Sequence, residues 1–433
     1  NFKIISLMNK VKSDKFLKKA KKLIPGLSQT FSKAPYSYVE GVYPSYVERG
    51  LGSHIFDVDG NEYIDYVLAL GPVILGYKYP AVDNAIKKQL KNGISFSIPH
   101  RLEVEVSEQI CKMVSSAEMV KFTKTGSDAG TAAVRAARAI TKRDKIAYSG
   151  TGGVWHEWFT SVTSRNQGIP KSISKMTKKF VYNDIESLKK IFEKEGDEIA
   201  AVYIEPITLE FPKNNFLKQV KQLTHKFGAL LIFDEVVTGF RYAKGGAEDY
   251  LKIEPDLSAW GKGMANGMPL GAITGKTKFM EIFNEIFYST SYGGETLSLA
   301  AASATLNEIN TKPVIKHLWK FGKYFSNSFN KISSELELNI KIEGTPIRSV
   351  INCRDNSNNL SPEIKSLFYQ ETIKRGILFG PGAVLFSYSH TLKDIKKTLM
   401  GCEESMKIVK KAIDENTVKK QLKGKPMKPI ISF

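Results

Sequence analysis

The spacing of apolar residues changes along the chain, and each change predicts a different element. Residues 9–23 place apolar positions at helical spacing among lysines, and Pro25-Gly26 ends that helix. A polar, aromatic-rich stretch from Ser28 to Tyr43 follows. Short runs over 45–49, 54–58 and 61–65, joined at Asp59-Gly60, predict a small antiparallel unit with a tight hairpin. From Pro80 the pattern switches. Amphipathic helices at 81–90, 103–114 and 128–140 are interspersed with apolar runs at 118–122, 145–148, 199–204, 229–237, 257–260 and 270–274. Runs that are apolar on both faces predict strands of a mostly parallel sheet covered by helices on both sides. Residues 160–178 show no such period and are expected to be a long polar loop. After about residue 312 the pattern is α+β: a long helix over 314–336, strands near 340–342 and 347–352, and helices at 362–375 and 392–413. There is no internal repeat. The expected division is a large domain at 76–312 and a smaller α+β domain built from both termini, 1–75 with 313–433.

Two positions break the apolar pattern. The run Ala229-Leu230-Leu231-Ile232-Phe233 ends in Asp234-Glu235, so a buried strand delivers two carboxylates at its C-terminal end, where open α/β sheets bind ligands. The run Leu257-Ser258-Ala259-Trp260 ends in Gly261-Lys262-Gly263. Desolvating an ammonium there is costly unless its surroundings suit it. An amine and a carboxylate at neighbouring strand ends suggest a cofactor held between them.

Composition narrows the possibilities. With 433 residues the chain can bury a large core, and 42% hydrophobic with 25% charged residues is ordinary for a globular protein. No stretch of about 18 apolar residues predicts a membrane span. The opening Asn1–Met8 is too short in its apolar part for a signal peptide. It lacks an initiator methionine, as expected of a processed or excised piece of something longer. Cys111, Cys353 and Cys402 are scattered without metal-like spacing and fit a reducing compartment, so a cytoplasmic location is expected. The net charge of +19 favours anionic ligands or reflects a lysine-rich surface. Its lysines are dispersed rather than gathered with aromatics on one module, so no nucleic-acid or membrane partner is expected.

Three further segments carry candidate chemistry. Thr123–Thr131 follows a strand and opens an alanine-rich helix. Gly126 admits a ligand close to the backbone, and Thr125 and Ser127 set hydroxyls beside free N–H groups, which is either a phosphate cradle or an ordinary helix cap. Gly152–Trp158 places aromatics just past a strand end, where Trp155 either stacks on a planar ring or packs a core. Glu205-Pro206 ends another buried strand. A strand-end carboxylate can cap a helix, bind a metal, or hold a pyridinium N–H; the further His and Asp clusters a metal would need are missing.

The segments Asp234–Arg241, Gly261-Lys262-Gly263 and Gly267-Met268-Pro269-Leu270-Gly271-Ala272 resemble the class III aminotransferases, which are fold-type I enzymes using pyridoxal 5'-phosphate (PLP). The resemblance is closest to the glutamate-1-semialdehyde aminomutase group and runs from about Gly26 to Ala412. It includes Phe56–Gly60, Tyr63–Tyr66, Gly71–Gly76 and Tyr182-Asn183-Asp184. It implies an α/β fold of the PLP-dependent transferase type I, with a mostly parallel seven-stranded sheet in the large domain. It also implies a homodimer with shared active sites.

Position by position, the resemblance makes Lys262 the Schiff-base lysine and proton carrier and Asp234 the partner of the pyridine nitrogen. It puts Val236 on one ring face and Thr125, Gly126 and Ser127 around the phosphate. Relatives stack a tyrosine on the other ring face. The ungapped match here is Gly152, and Trp155 is the expected substitute. Glu210 matches a side chain near the 3-hydroxyl, and Ser291 a residue that reaches the partner's phosphate.

Some positions depart from the aminomutase pattern. Lys33 stands where that group has a carboxylate-binding arginine, losing the bidentate fork. Gly380–His390 lacks its glutamate, and Tyr292-Gly293-Gly294-Glu295-Thr296 differs from its trans segment. The expected activity is transfer of an amino group between an amino donor and a polar carbonyl compound, such as a keto-sugar or a specialised metabolite. Tyr36, Tyr38, Tyr43, Tyr46, His100 and Arg101 either line that pocket or pack the small domain. The alternatives are the aminomutase reaction, a PLP-dependent lyase on the same scaffold, and a non-enzymatic binding protein.

Overall fold

The computed structural model describes residues 9–150 and 153–427. The chain divides into two compact units: one from the residues up to Tyr79 with those from Lys316 onward, the other Pro80–Ile315. Among the described residues no helix is long and apolar enough to cross a membrane.

The first unit opens with strands β1 (Val47–Leu51), β2 (His54–Asp57) and β3 (Glu62–Asp65), paired antiparallel in sequence. The β2–β3 turn carries Gly60 at φ +90°, and the Asp57 carboxylate beneath it accepts the N–H of Asp59 at 3.0 Å and of Asn61 at 2.8 Å. At the end of β3 the buried Asp65 carboxylate accepts the Val67 N–H at 2.7 Å and the Tyr77 hydroxyl at 2.6 Å. These bonds anchor a turn in which Leu68, Ala69, Leu70 and Gly71 all have positive φ. That conformation is unfavourable for non-glycine residues and persists only where the surroundings enforce it.

The second unit holds β4 (Met119–Thr123), β5 (Lys145–Ser149), β6 (Thr177–Lys179), β7 (Ile199–Ile204), β8 (Leu230–Asp234), β9 (Leu257–Trp260) and β10 (Gly271–Gly275). They form one seven-stranded sheet in the order β4-β10-β9-β8-β7-β5-β6. Only β10 is antiparallel to its neighbours, so the expected mostly parallel α/β sheet is what the chain builds. Alternate residues of the buried strands feed two cores. Ala201, Tyr203, Leu230 and Ile232 pack with the alanines of the Gly126–Thr141 helix, while Val202, Ile204, Leu231 and Phe233 pack with Leu188, Phe192, Phe216 and Val220 on the other face.

The expected loop at 160–178 is partly wrong. A helix spans Lys171–Met176, and Thr177–Lys179 forms β6, parallel to β5 at the sheet edge. An edge strand needs one partner and tolerates lysines, so Thr-Lys-Lys leaves no apolar signature. The remaining strands belong to the first unit: β11 (Ile340–Thr345), β12 (Arg348–Cys353), β13 (Ile377–Leu378) and β14 (Val384–Leu385). β13 joins β3 in parallel, and β11-β12-β14 form a separate antiparallel sheet.

Candidate active site

Asp234 is the last residue of β8, and the β8–β9 register pairs it with Ala259, three residues before Lys262. The period of the strand puts Asp234 on the same face as Leu230 and Ile232, under the Gly126–Thr141 helix. Its side chain is buried and one oxygen accepts the Val236 N–H at 3.1 Å. Burial, and next the charge of Glu205, push its pKa up to about 6, while the Val236 N–H, the Lys262 ammonium and the Tyr203 hydroxyl pull it down. Lys262 is half-buried and opens a tight turn, Lys262–Ala265, at φ +41°. A left-handed lysine is a backbone outlier of the kind that clusters at functional sites.

Three segments close on one another beside this pair. A Cβ built on Gly126 would lie 2.5 Å from Val236 Cγ2, and one on Gly261 would lie 3.4 Å from the Gly126 backbone and 3.5 Å from Val236 Cγ1. Only glycine fits at 126. Thr125 caps the helix: its hydroxyl accepts the Asp128 N–H at 3.1 Å, and the Asp128 carboxylate accepts the Thr125 N–H at 2.9 Å. The N–H groups of Gly126 and Ser127 donate to nothing among the described residues. Two free donors at the positive end of a sixteen-residue helix suit an anion. The Thr125 cap therefore leaves these two donors free to meet an anion.

The second carboxylate of the strand end has a different task. Glu235 is fully buried and accepts the N–H groups of Ala247 at 3.0 Å and Glu248 at 2.8 Å, along with the Thr238 hydroxyl, so it caps the short Gly246–Leu251 helix. Burial, and then Glu248, raise its pKa from 4.5 to about 8. A raised folded value means the stabilising contribution is complete below the ordinary value and is lost as pH climbs through about 8. Glu235→Gln, which keeps the shape of the neutral acid, is expected to flatten the decline of the thermal midpoint between about pH 4.5 and 8. An identical decline in both proteins would contradict this.

The other expected site residues lie on separate segments. Trp155 is 72% exposed, and its backbone N–H donates to Ser127 Oγ at 3.3 Å, so its loop is tied to the helix start while its ring stays open. Gly152 lies outside the described residues. His156 is structural: Nδ1 meets Thr131 Oγ1 at 2.6 Å and Nε2 lies 3.5 Å from Asp128. Glu210 is exposed, with its carboxylate 2.6 Å from Lys213 Nζ. Ser291 is exposed in a loop that leads to Glu295, which pairs with Lys124 at 3.1 Å, next to Thr125. Of the candidate pocket residues, Tyr43 donates to the Phe379 carbonyl, His100 caps its helix and Arg101 pairs with Glu105; Lys33 is exposed. Sequence reading missed Tyr203, the aromatic within reach of Asp234. The available signal was Gly130, a lone glycine inside an alanine-rich helix.

Comparison with known proteins bears on this site. The family model described as Aminotransferase class-III matches residues 36–394. The 3-aminobutyryl-CoA aminotransferase of Cloacimonas acidaminovorans is 33% identical over 413 residues, covering 93% of this chain and 98% of the relative. The glutamate-1-semialdehyde 2,1-aminomutase of Acetivibrio thermocellus is 35% identical over 417 residues, covering 90% and 96%. Among solved structures, the FumI protein of Sphingopyxis sp. MTA144, in its PLP internal aldimine form, superposes with a TM-score of 0.88 at 28% identity, over 96% of this chain and 98% of that one.

Proposed function

Because the chain belongs to the class III aminotransferases and is a PLP-dependent transaminase, we propose that Lys262, Asp234 and the start of the Gly126–Thr141 helix form its cofactor site. The residues fit the group. Two unspent N–H groups and the Ser127 hydroxyl suit a phosphate; a buried carboxylate suits a cationic ring nitrogen; and Gly126 lets the helix start close on Val236 and the Gly261 turn beside that carboxylate.

When bound, PLP supplies an electron-withdrawing ring that makes a C–H bond of the substrate acidic. The chain does the rest. Thr125, Gly126 and Ser127 hold the phosphate and so fix the ring's alignment. Asp234 keeps a proton on the ring nitrogen, and Val236 packs on one ring face. Lys262 anchors the cofactor through its amine and then carries the proton at the substrate carbon, as a desolvated lysine beside a cation is suited to do. Trp155 is the side chain proposed to cover the second ring face, and Glu210 the one near the 3-hydroxyl. Ser291 is proposed to reach the phosphate of a second copy. That copy would also cover the apolar side chains this unit exposes around Gly294 and Thr296: Ile94, Phe96, Val104 and Tyr292. Free cysteines throughout the described residues support a reducing compartment, and we place the enzyme in the cytoplasm.

The substrate reading is an amino donor with a polar carbonyl acceptor. Relatives of similar identity are named for a CoA-linked 3-aminobutyryl substrate and for glutamate-1-semialdehyde, so likeness alone selects neither. The observation that carries the site is the convergence of Gly126, Val236 and Gly261 beside Asp234. A half-reaction screen tests the function: the PLP form is mixed with amino acids and amino sugars and watched for conversion to the pyridoxamine form. Conversion by at least one donor, returned by a carbonyl acceptor, is expected. 5-Aminolevulinate formed from glutamate-1-semialdehyde would move the assignment to the aminomutase, and ammonia released without an acceptor would move it to a lyase.

A further inference from the structure

Tyr203 is the penultimate residue of β7, in register with Ile232 of β8, and its side chain joins the core beneath the Gly126–Thr141 helix. Its residue is wholly buried, yet its hydroxyl completes no hydrogen bond. A buried hydroxyl without a partner is penalised, so its presence needs a reason. The helix above makes room for it. Gly130 interrupts a run of alanines, and a Cβ built there would lie 2.6 Å from the Tyr203 oxygen. Glycine inside a helix is unfavourable relative to alanine. Strand and helix thus both forgo stability to keep one oxygen in place.

The side-chain period places Tyr203 and Asp234 on the same face of adjacent strands, with Asp234 two positions beyond the partner of Tyr203. The charged group that acts on Tyr203 most strongly is Asp234. The other groups acting on Asp234 are Glu205 at the end of β7, Lys262 after β9 and the Val236 N–H on its own segment. The covering helix presents Gly130 and alanines here, and its Asp128 is held by Thr125 and His156. We propose that Tyr203 is a positioning residue for Asp234, its hydroxyl donating to the carboxylate that takes the cofactor's ring nitrogen. The inference rests on the Asp234 role proposed above. Burial and Asp234 itself hold the phenol in its protonated form, and Tyr203 favours the ionised Asp234 against burial and the charge of Glu205.

Tyr203→Phe removes one oxygen and leaves the ring. PLP uptake followed across pH by absorbance is expected to lose its acid limb about half to one pH unit higher than wild type, the size of one net hydrogen bond. The expected fall in kcat is about tenfold, with the donor KM little changed, and borohydride labelling still maps to Lys262. Gly130→Ala, which crowds the oxygen without removing it, is expected to move the same limb upward. It should lower the thermal midpoint of wild type by more than that of Tyr203→Phe, where the nearest remaining atom lies 3.3 Å from the added Cβ and alanine is the better helix former. An unmoved acid limb in Tyr203→Phe, or an equal loss of midpoint on Gly130→Ala in both backgrounds, overturns the inference. Asp234→Ala separates the two levels. If it weakens PLP binding while Tyr203→Phe changes nothing, only the tyrosine's role fails; if it leaves binding intact, the parent reading of Asp234 fails.

Discussion

Lys262→Ala is expected to abolish turnover, by about 10^4-fold or more, in a protein that still folds and still takes up PLP without covalent attachment. Alanine bears the left-handed backbone at 262 no worse than lysine does, so the turn is not further strained. Lys262→Gly, which relaxes that conformation, should raise the thermal midpoint slightly. The cofactor keeps its phosphate and ring-nitrogen contacts, but borohydride no longer fixes it to the chain. One electrostatic consequence follows: the Lys262 ammonium is among the groups holding Asp234 ionised, so its loss moves the acid limb of PLP uptake upward. Lys262→Arg separates charge from chemistry. It restores the cation beside Asp234, yet a guanidinium that stays protonated neither attaches the cofactor nor carries the proton, so turnover stays lost while the acid limb returns. Turnover near wild type in Lys262→Ala, or a label on another lysine, would refute the assignment.

How much of this was readable from the residues alone follows from where each signal lives. β8 declares itself because five buried residues end in a carboxylate, and β9 because an apolar run stops at a lysine between glycines. Both are one-dimensional contrasts. The division of labour between Asp234 and Glu235 is not of that kind. Their sequence context is shared, and only the backward turn of the chain to Ala247 and Glu248 shows that Glu235 caps a helix. β6 was lost for the opposite reason, since an edge strand made of Thr-Lys-Lys has no apolar contrast to read. Trp155 was named from its place after a strand, but nothing in a sequence tells a buried indole from one left open over a helix start. Tyr203 reads as core because it is core. Its second property, a buried oxygen with room kept for it, depends on a glycine seventy-odd residues away in another element.

Asp234→Asn is expected to push cofactor affinity and the stability of the cofactor-free protein in opposite directions. Asparagine keeps the shape and can still accept the Val236 N–H, but it has no charge with which to hold a protonated ring nitrogen. Losing one partner of a desolvated ion pair costs about 2–5 kcal/mol, which corresponds to PLP binding weaker by roughly 30-fold to several thousand-fold. The rate should fall further still, because an unprotonated ring withdraws electrons poorly. Without the cofactor the same carboxylate is a burden. Its folded pKa of about 6 stands above the ordinary 3.8, so its contribution to stability declines as pH rises between those values and the deficit is complete above them. At neutral pH the deficit is about 3 kcal/mol, and Asp234→Asn removes it. Cofactor-free Asp234→Asn should therefore unfold at a higher temperature than cofactor-free wild type at pH 7, and with no such advantage near pH 3. Full PLP affinity in the variant would refute the ring-nitrogen role. Equal midpoints at pH 7 would refute the raised pKa of the buried carboxylate, because the value of about 6 already includes the pull of Lys262.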